Sequence, residues 1–146
     1  MKITTRMRYG VRLMFELAIY YGKGLQVLKD LAEKEGISER YLSQIVSILK
    51  TKGLVDSNRG AYGGYILAKP PSEITIRNIF DALEGPINIV ECINNLSACD
   101  RISTCITRHV WIKLRDGLNS ILDSITLEDL VKMCKEKEDS ILTYNI

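Results

Sequence analysis

Only one histidine, His109, occurs in the 146 residues, no C-x-x-C pair accompanies the four cysteines, and neither a glycine-rich phosphate loop nor a paired-carboxylate motif is present. Those absences remove the usual constellations of thiol, phosphoryl-transfer and acid-base catalysis, so the chain is expected not to be an enzyme. Long hydrophobic runs are also missing. The most apolar N-terminal stretch, residues 7–21, is interrupted by Arg8, Arg12 and Glu16, and no small-residue cleavage site follows it. Neither a signal peptide nor a membrane span is therefore expected. The chain is placed in the cytoplasm, where thiols stay reduced and cysteines serve better as ligands than as disulfides. There is no internal repeat and no low-complexity tract. The length suits one ordinary domain, or a small one with an oligomerisation arm.

What is present is unevenly distributed. The net charge of +2 conceals a basic first half: residues 1–70 carry 12 Lys and Arg against 6 Asp and Glu, whereas residues 71–146 carry 8 against 12. The basic half is the candidate for a polyanionic partner.

Within it, Thr4 or Thr5 can cap a helix whose apolar residues Met7, Val11, Met14, Phe15 and Ala18 recur at helical spacing. A second short helix, about Leu28 to Glu35, stops at Gly36. Only Ile37 separates that stop from Ser38, a good cap for a third helix from Glu39 to about Lys52 that buries Leu42, Ile45, Val46 and Leu49. Two helices joined through so tight a glycine turn make a helix-turn-helix. Beyond Gly53, apolar residues on either side of RGAYGG (Arg59–Gly64) predict a hairpin, the wing of a winged helix. Thr75 caps a fourth helix that ends at Gly85-Pro86. The fold class is thus mainly α with a small β-hairpin wing, a winged helix-turn-helix head followed by a long dimerisation helix.

In such a head the second helix enters the major groove of double-stranded DNA with its N-terminal residues at the base edges. Ser38, Arg40, Tyr41, Ser43 and Gln44 lie off the apolar face and are the candidate readers. Gln44 suits adenine, Arg40 guanine or a phosphate, and the serines either. Arg59, Gly60 and Tyr62 of the wing suit the minor groove or the phosphate edge, and Arg6, Lys50 and Lys52 add phosphate contacts.

The acidic half opens on CINNLSACDRISTCITRH, in which Cys92, Cys99 and Cys105 are spaced C-x6-C-x5-C and His109 follows. Thiolates are soft donors for zinc or iron-sulfur clusters and imidazole is a common companion. The residues between are polar and loop-like, so these thiols do not belong to a periodic core face. The spacing matches neither a zinc ribbon nor a ferredoxin and does not name the metal. From Ser103 or Thr104 to Ser124 a long helix is predicted, with Val110, Leu114, Leu118, Ile121 and Ile125 forming a seam for a partner helix and hence a homodimer. A last helix starts with the capping pattern Thr126 to Asp129 and carries Cys134 on its apolar face, a core position. The expected units are a DNA-binding head over 1–85, a cysteine-bearing loop over 86–104, the dimerisation and C-terminal helices over 105–136, and a flexible tail over 137–146.

Taken together, MKITTRMRYGVRLM, GISERYLSQIVSILKTKGLVDSNRGAYGGYILAKP, the three cysteines and CITRHVWIKLRDGLNSILDSITLEDL resemble the IscR and NsrR family of bacterial iron-sulfur transcription regulators over about residues 1–133. The resemblance implies a winged-helix homodimer on near-palindromic operators. It also implies a cluster, most simply 2Fe-2S, on Cys92, Cys99 and Cys105, whose state alters DNA binding. The fourth ligand departs from the pattern. IscR-like members have a histidine three residues after the last cysteine, where this chain has Arg108 and then His109. Relatives that instead supply an acid from the partner's first helix would place it where Arg8 stands. His109, four residues past Cys105 on an expected helix, is the candidate, with Glu91, Asp100, Cys134, an exogenous thiol or water as alternatives. Two rival readings keep the fold: a cluster-free regulator controlled by a protein, a metabolite or direct thiol oxidation, and structural zinc in the loop.

Overall fold

A computed structural model describes residues 2–61 and 63–144. Helix α1 (Thr5–Ile19) starts where the Thr4 hydroxyl accepts the Met7 N–H at 3.0 Å. Its buried side is Met7, Gly10, Leu13, Met14, Leu17 and Ala18. The predicted stripe is rotated by this: Leu13 and Leu17 are core, while Val11 and Phe15 are only half-buried. Both flanks of α1 are apolar, so the helix faces the core on one side and a shallow groove against the last helix on the other. Glu16 is the one buried charged residue among the described residues, and it meets the Lys34 ammonium at 2.7 Å.

Helix α2 (Leu28–Glu35) ends on Gly36 at φ +66°, ψ +32°, a left-handed geometry that a residue with a Cβ adopts at a cost. The Ile37 N–H bonds back to the Ala32 carbonyl at 3.0 Å and Ile37 itself is buried. That turn aims α3 (Glu39–Thr51), whose cap is the Ser38 hydroxyl accepting the Tyr41 N–H at 3.2 Å. Leu42, Ile45, Val46 and Leu49 are each no more than 1% exposed. At about 1.5–3 kcal/mol for each such side chain, this face holds α3 firmly on the head.

Strands β1 (Val55–Asn58) and β2 (Gly64–Leu67) form the antiparallel wing, with Val55 opposite Leu67 and Asn58 opposite Gly64. Gln26 exchanges two backbone hydrogen bonds with Tyr65, at 2.9 and 2.8 Å, and so ties the wing to the segment before α2. A 3-10 turn at Pro71–Glu73 leads to α4 (Ile76–Glu84), which opens on a full capping box between Thr75 and Asn78.

The second half departs from expectation in three places. A short helix α5 (Glu91–Asn94) lies inside the cysteine segment, anchored by buried Ile93. The long helix α6 (Arg108–Ser124) begins at residue 108 rather than 103 or 104, because Arg101–Thr104 close into a turn and carry no apolar periodicity. The loop expected over 86–104 therefore extends to Thr107. Helix α7 (Leu127–Tyr144) continues through most of the segment expected as a flexible tail. Its mixed charges are spaced for a solvated helix, and its side chains from Lys135 to Thr143 are exposed; Asn145 and Ile146 fall outside the described residues.

Helices α6 and α7 are not separate from the head. The Ile76 N–H bonds the Ile125 carbonyl and the Leu127 N–H bonds the Ile74 carbonyl, each at 2.9 Å. Leu127 is fully buried, and Leu118, Leu122, Leu130 and Val131 pack against the same core. The box at Thr126 and Asp129 is complete: each side chain accepts the other's backbone N–H, at 3.1 and 2.9 Å. Cys134, expected in the core, is instead half-buried in the α1/α7 groove beside Val11, Phe15 and Met133. It sits on the flank of α7 that meets Val11 and Phe15 of α1.

Candidate nucleic-acid interface and candidate metal centre

Helix α3 and the wing enclose an open polar cleft. One wall is a single stripe of α3, Glu39, Ser43, Ser47 and Lys50, stepping by 4, 4 and 3 residues. The other is Ser57, Asn58, Arg59, Gly60 and Gly63 of the wing, with Tyr65 and Leu28 at the floor. Ser47, Ser57 and Asn58 were not among the predicted readers. Their signal in the sequence was the four-residue step from Ser43 and the polar start of the hairpin.

Of the predicted readers, Ser43, Arg59 and Gly60 line the cleft, while Arg40 and Gln44 stand exposed on the neighbouring stripe of α3. Ser38 is exposed, but its hydroxyl oxygen already caps α3. It keeps its proton to donate. Tyr41 is different. Its ring meets Tyr9 edge-on, centroids 5.9 Å apart and planes at 77°, and it is half-buried against the head. Tyr9 in turn lies under the guanidiniums of Arg8 and Arg12, at 5.8 and 5.6 Å from its ring centre. Tyr62 falls outside the described residues.

The wing tip owes its shape to glycines. A Cβ at residue 63 would stand 2.5 Å from the Asn58 carbonyl oxygen, and one at 64 would stand 2.7 Å from that of Gln26. Both contacts are with backbone, which has little room to yield.

Cys92, Cys99 and Cys105 lie between α4 and α6. Cys92 is in α5 and half-buried, Cys99 is exposed in the following turn, and Cys105 is half-buried just before α6. Among the described residues no group of three or more His, Cys, Asp or Glu side chains stands close enough to hold a metal ion. Cys92, Cys99, Cys105 and His109 are thus not gathered into a site within this single chain. The helical argument for His109 also changes. Cys105 precedes α6, so the two residues are not stacked on one helix, and the imidazole lies exposed on the first turn.

The loop nevertheless has chemistry. The Cys105 thiol lies 3.3 Å from the Thr107 hydroxyl. That hydrogen bond, then the backbone N–H of Arg108, draws its pKa below the usual thiol value. The Arg108 guanidinium donates to the Cys92 carbonyl at 3.3 Å, linking the start of α6 to α5. No helix among the described residues is long and apolar enough to cross a membrane.

Comparison with known proteins agrees with this geometry. The Rrf2 family, described as iron-dependent transcriptional regulators, matches residues 3–133. The chain is 42% identical over 144 residues to the HTH-type transcriptional regulator CymR of Bacillus subtilis, with 99% of each chain covered. It is 37% identical over 131 residues to the HTH-type transcriptional regulator IscR of Photorhabdus laumondii, covering 90% of this chain and 79% of that one. Among solved structures, CymR, titled the global cysteine regulator of B. subtilis, superposes with a TM-score of 0.77 at 45% identity over 91% of this chain and 98% of its own. IscR of T. potens gives the same TM-score at 39% identity, covering 94% and 90%. The winged head, its polar cleft and these matches lead to one conclusion: the chain belongs to the Rrf2 family of winged-helix transcriptional regulators.

Proposed function

We propose that this regulator binds a double-stranded operator as a homodimer through α3 and the wing, and that Cys92, Cys99 and Cys105 hold an iron-sulfur cluster whose state tunes that binding. The observation that carries the DNA half is the cleft itself. Ser43, Ser47 and Lys50 face Asn58 and Arg59 across an open polar channel on a rigid scaffold, with Arg40 and Gln44 presented beside it. Serine, asparagine, lysine and arginine are the side chains that bond phosphates and base edges.

The donor set of the loop fits a cluster. Its three thiols are soft, accessible and borne on a polar segment with few ties to the core, and Cys105 is already biased toward the thiolate that ligation requires. When bound, a cluster would supply a covalent clasp across the loop that responds to iron supply and redox state. The chain's own part is transmission. The loop joins α4 of the head to α6, and Arg108 links α6 to α5. A change in loop order therefore acts on the angle between the head and the helix proposed to pair two heads.

A second reading is favoured by two observations. The thiols are not gathered in the single chain, and one similar protein, CymR of B. subtilis, is described as a global cysteine regulator. On that reading the protein is a cluster-free regulator whose loop thiols respond directly.

Anaerobic purification separates the two. The cluster reading expects a brown protein with iron and sulfide in equal amounts, lost in Cys99→Ala together with a shift in operator affinity or preference of about fivefold or more. A colourless protein, zinc in place of iron, or identical DNA binding by loaded and stripped forms overturns it. Independently, Arg59→Ala should weaken binding to all duplexes and reduce the salt slope by about one, whereas Gln44→Ala should relax the preference at one base position. Unchanged binding in both variants would remove the wing and the exposed face of α3 from the reading surface.

A further inference from the structure

The α3 wall of the cleft carries one residue that a surface built only for phosphates would not have. Glu39 heads the stripe that continues through Ser43, Ser47 and Lys50, and it is the one carboxylate lining the cleft among the described residues. It is exposed, and among the described residues its side chain takes part in no ion pair or side-chain hydrogen bond. Its position in the first turn of α3 is favourable for an acid, since the helix dipole stabilises negative charge there. That accounts for an acid in the first turn but assigns no role to its facing the cleft, where a duplex would bring phosphates near it.

From this placement we infer that Glu39 is a sequence-reading residue that selects a base with an exocyclic amino group, cytosine before adenine, at one position in each half-site. The inference rests on the proposed DNA reading and deepens it. A carboxylate only accepts hydrogen bonds, so a phosphate repels it and it gains nothing from the guanine O6 and N7 or thymine O4 acceptors. The cytosine N4 amino group is the donor that compensates its desolvation. The first turn of the recognition helix is the part that reaches deepest into the major groove. Glu39 therefore works largely by rejection, while Lys50 and Arg59 supply the attraction common to all sequences.

The test is selection from a randomised duplex library with the full-length wild-type protein, Glu39→Ala and Glu39→Gln. The wild type is expected to yield a near-palindrome with a symmetry-related pair of cytosine positions. Glu39→Ala should flatten the preference at that pair alone by roughly tenfold, with tighter binding to non-specific duplex. Glu39→Gln, which can both donate and accept, should shift the same pair toward adenine. A merely structural role for Glu39 would lower the melting temperature and leave the motif unchanged. An identical motif in Glu39→Ala, or even erosion at every position in both variants, overturns the inference. If the wild type selects no motif, the DNA reading itself has failed, a result distinct from either.

Discussion

Glu84 shows how single residues hold the head together. It is the last residue of α4, where the helix dipole opposes a negative charge. Burial also disfavours its ionised form, yet hydrogen bonds from the Thr4 hydroxyl and the Arg6 guanidinium outweigh that and hold its pKa below the ordinary carboxylate value. Because the folded pKa is lowered, the stabilisation is present above the unfolded value of about 4.3 and is lost as pH falls through the folded one. Glu84→Gln is therefore expected to melt below the wild type at pH 7, by an amount equivalent to roughly 1 kcal/mol or less, given that Arg6 is 43% exposed. The gap should narrow as pH falls below about 4. Thermal melts at pH 7 and pH 3 check this, and parallel curves would remove Glu84 from the acid limb. None of this pairing was visible in the sequence. Residues 4, 6 and 84 meet only because α1 crosses α4. The same limit applies at Tyr41, whose spacing placed it off the core face but whose ring the structure turns onto Tyr9.

The elements were more legible than the pairings, wherever a local signal and a tertiary need agreed. Gly36, Ser38 and the four-residue apolar step of α3 identify the helix-turn-helix because each meets a backbone requirement within its own turn. Polar Ser103 and Thr104 resemble helix caps, yet the chain there closes into a turn and α6 starts only at Arg108. α5 has four residues, too few for any periodicity to register. The wing also had a signal beyond its turn type. Gly64 reads as a hairpin residue, but the structure adds that it lies against the Gln26 backbone, where a Cβ would be 2.7 Å from the carbonyl oxygen. Gly64→Ala is accordingly expected to push the wing off the Gln26 bridge at a cost of about 1–3 kcal/mol. Hydrogen exchange should show faster exchange of the Gln26 and Tyr65 amides, with α3 unaffected. DNA affinity should fall even where the fold survives, since Arg59 is carried on the displaced hairpin. Protection equal to the wild type at both amides would show that the bridge tolerates the methyl group.

At the scale of the whole molecule, α6 is where one chain leaves most undone. It runs 17 residues with none buried, although Leu118 and Leu122 press on the head. On its other side Val110, Leu114 and Ile121 are 52%, 48% and 58% exposed. The predicted seam thus divides. Leu118 turns inward, Ile125 lies half-buried just past the end of the helix, and Val110, Leu114 and Ile121 step by 4 and 7 along one open face. Gly117 falls between them, and a Cβ there would meet nothing within 4 Å, leaving space for a second backbone to approach. An apolar seam of this spacing is the geometry of a helix pair, and two heads joined through it would read two half-sites about one helical turn apart. Leu114→Glu and Ile121→Glu introduce charges into that seam without touching the head core, so each is expected to give a folded monomer by sedimentation with unaltered melting of the head. Binding to a full operator should drop by at least about tenfold, because the second half-site is no longer held at high effective concentration. Binding to an isolated half-site should stay as it was. Were both variants to remain dimeric, the pairing would have to run through another face, with the α1/α7 groove at Phe15 and Met133 the first to examine; were they monomeric with full operator affinity intact, one head alone would carry the recognition, and a loop acting on the angle between two heads would have nothing to regulate.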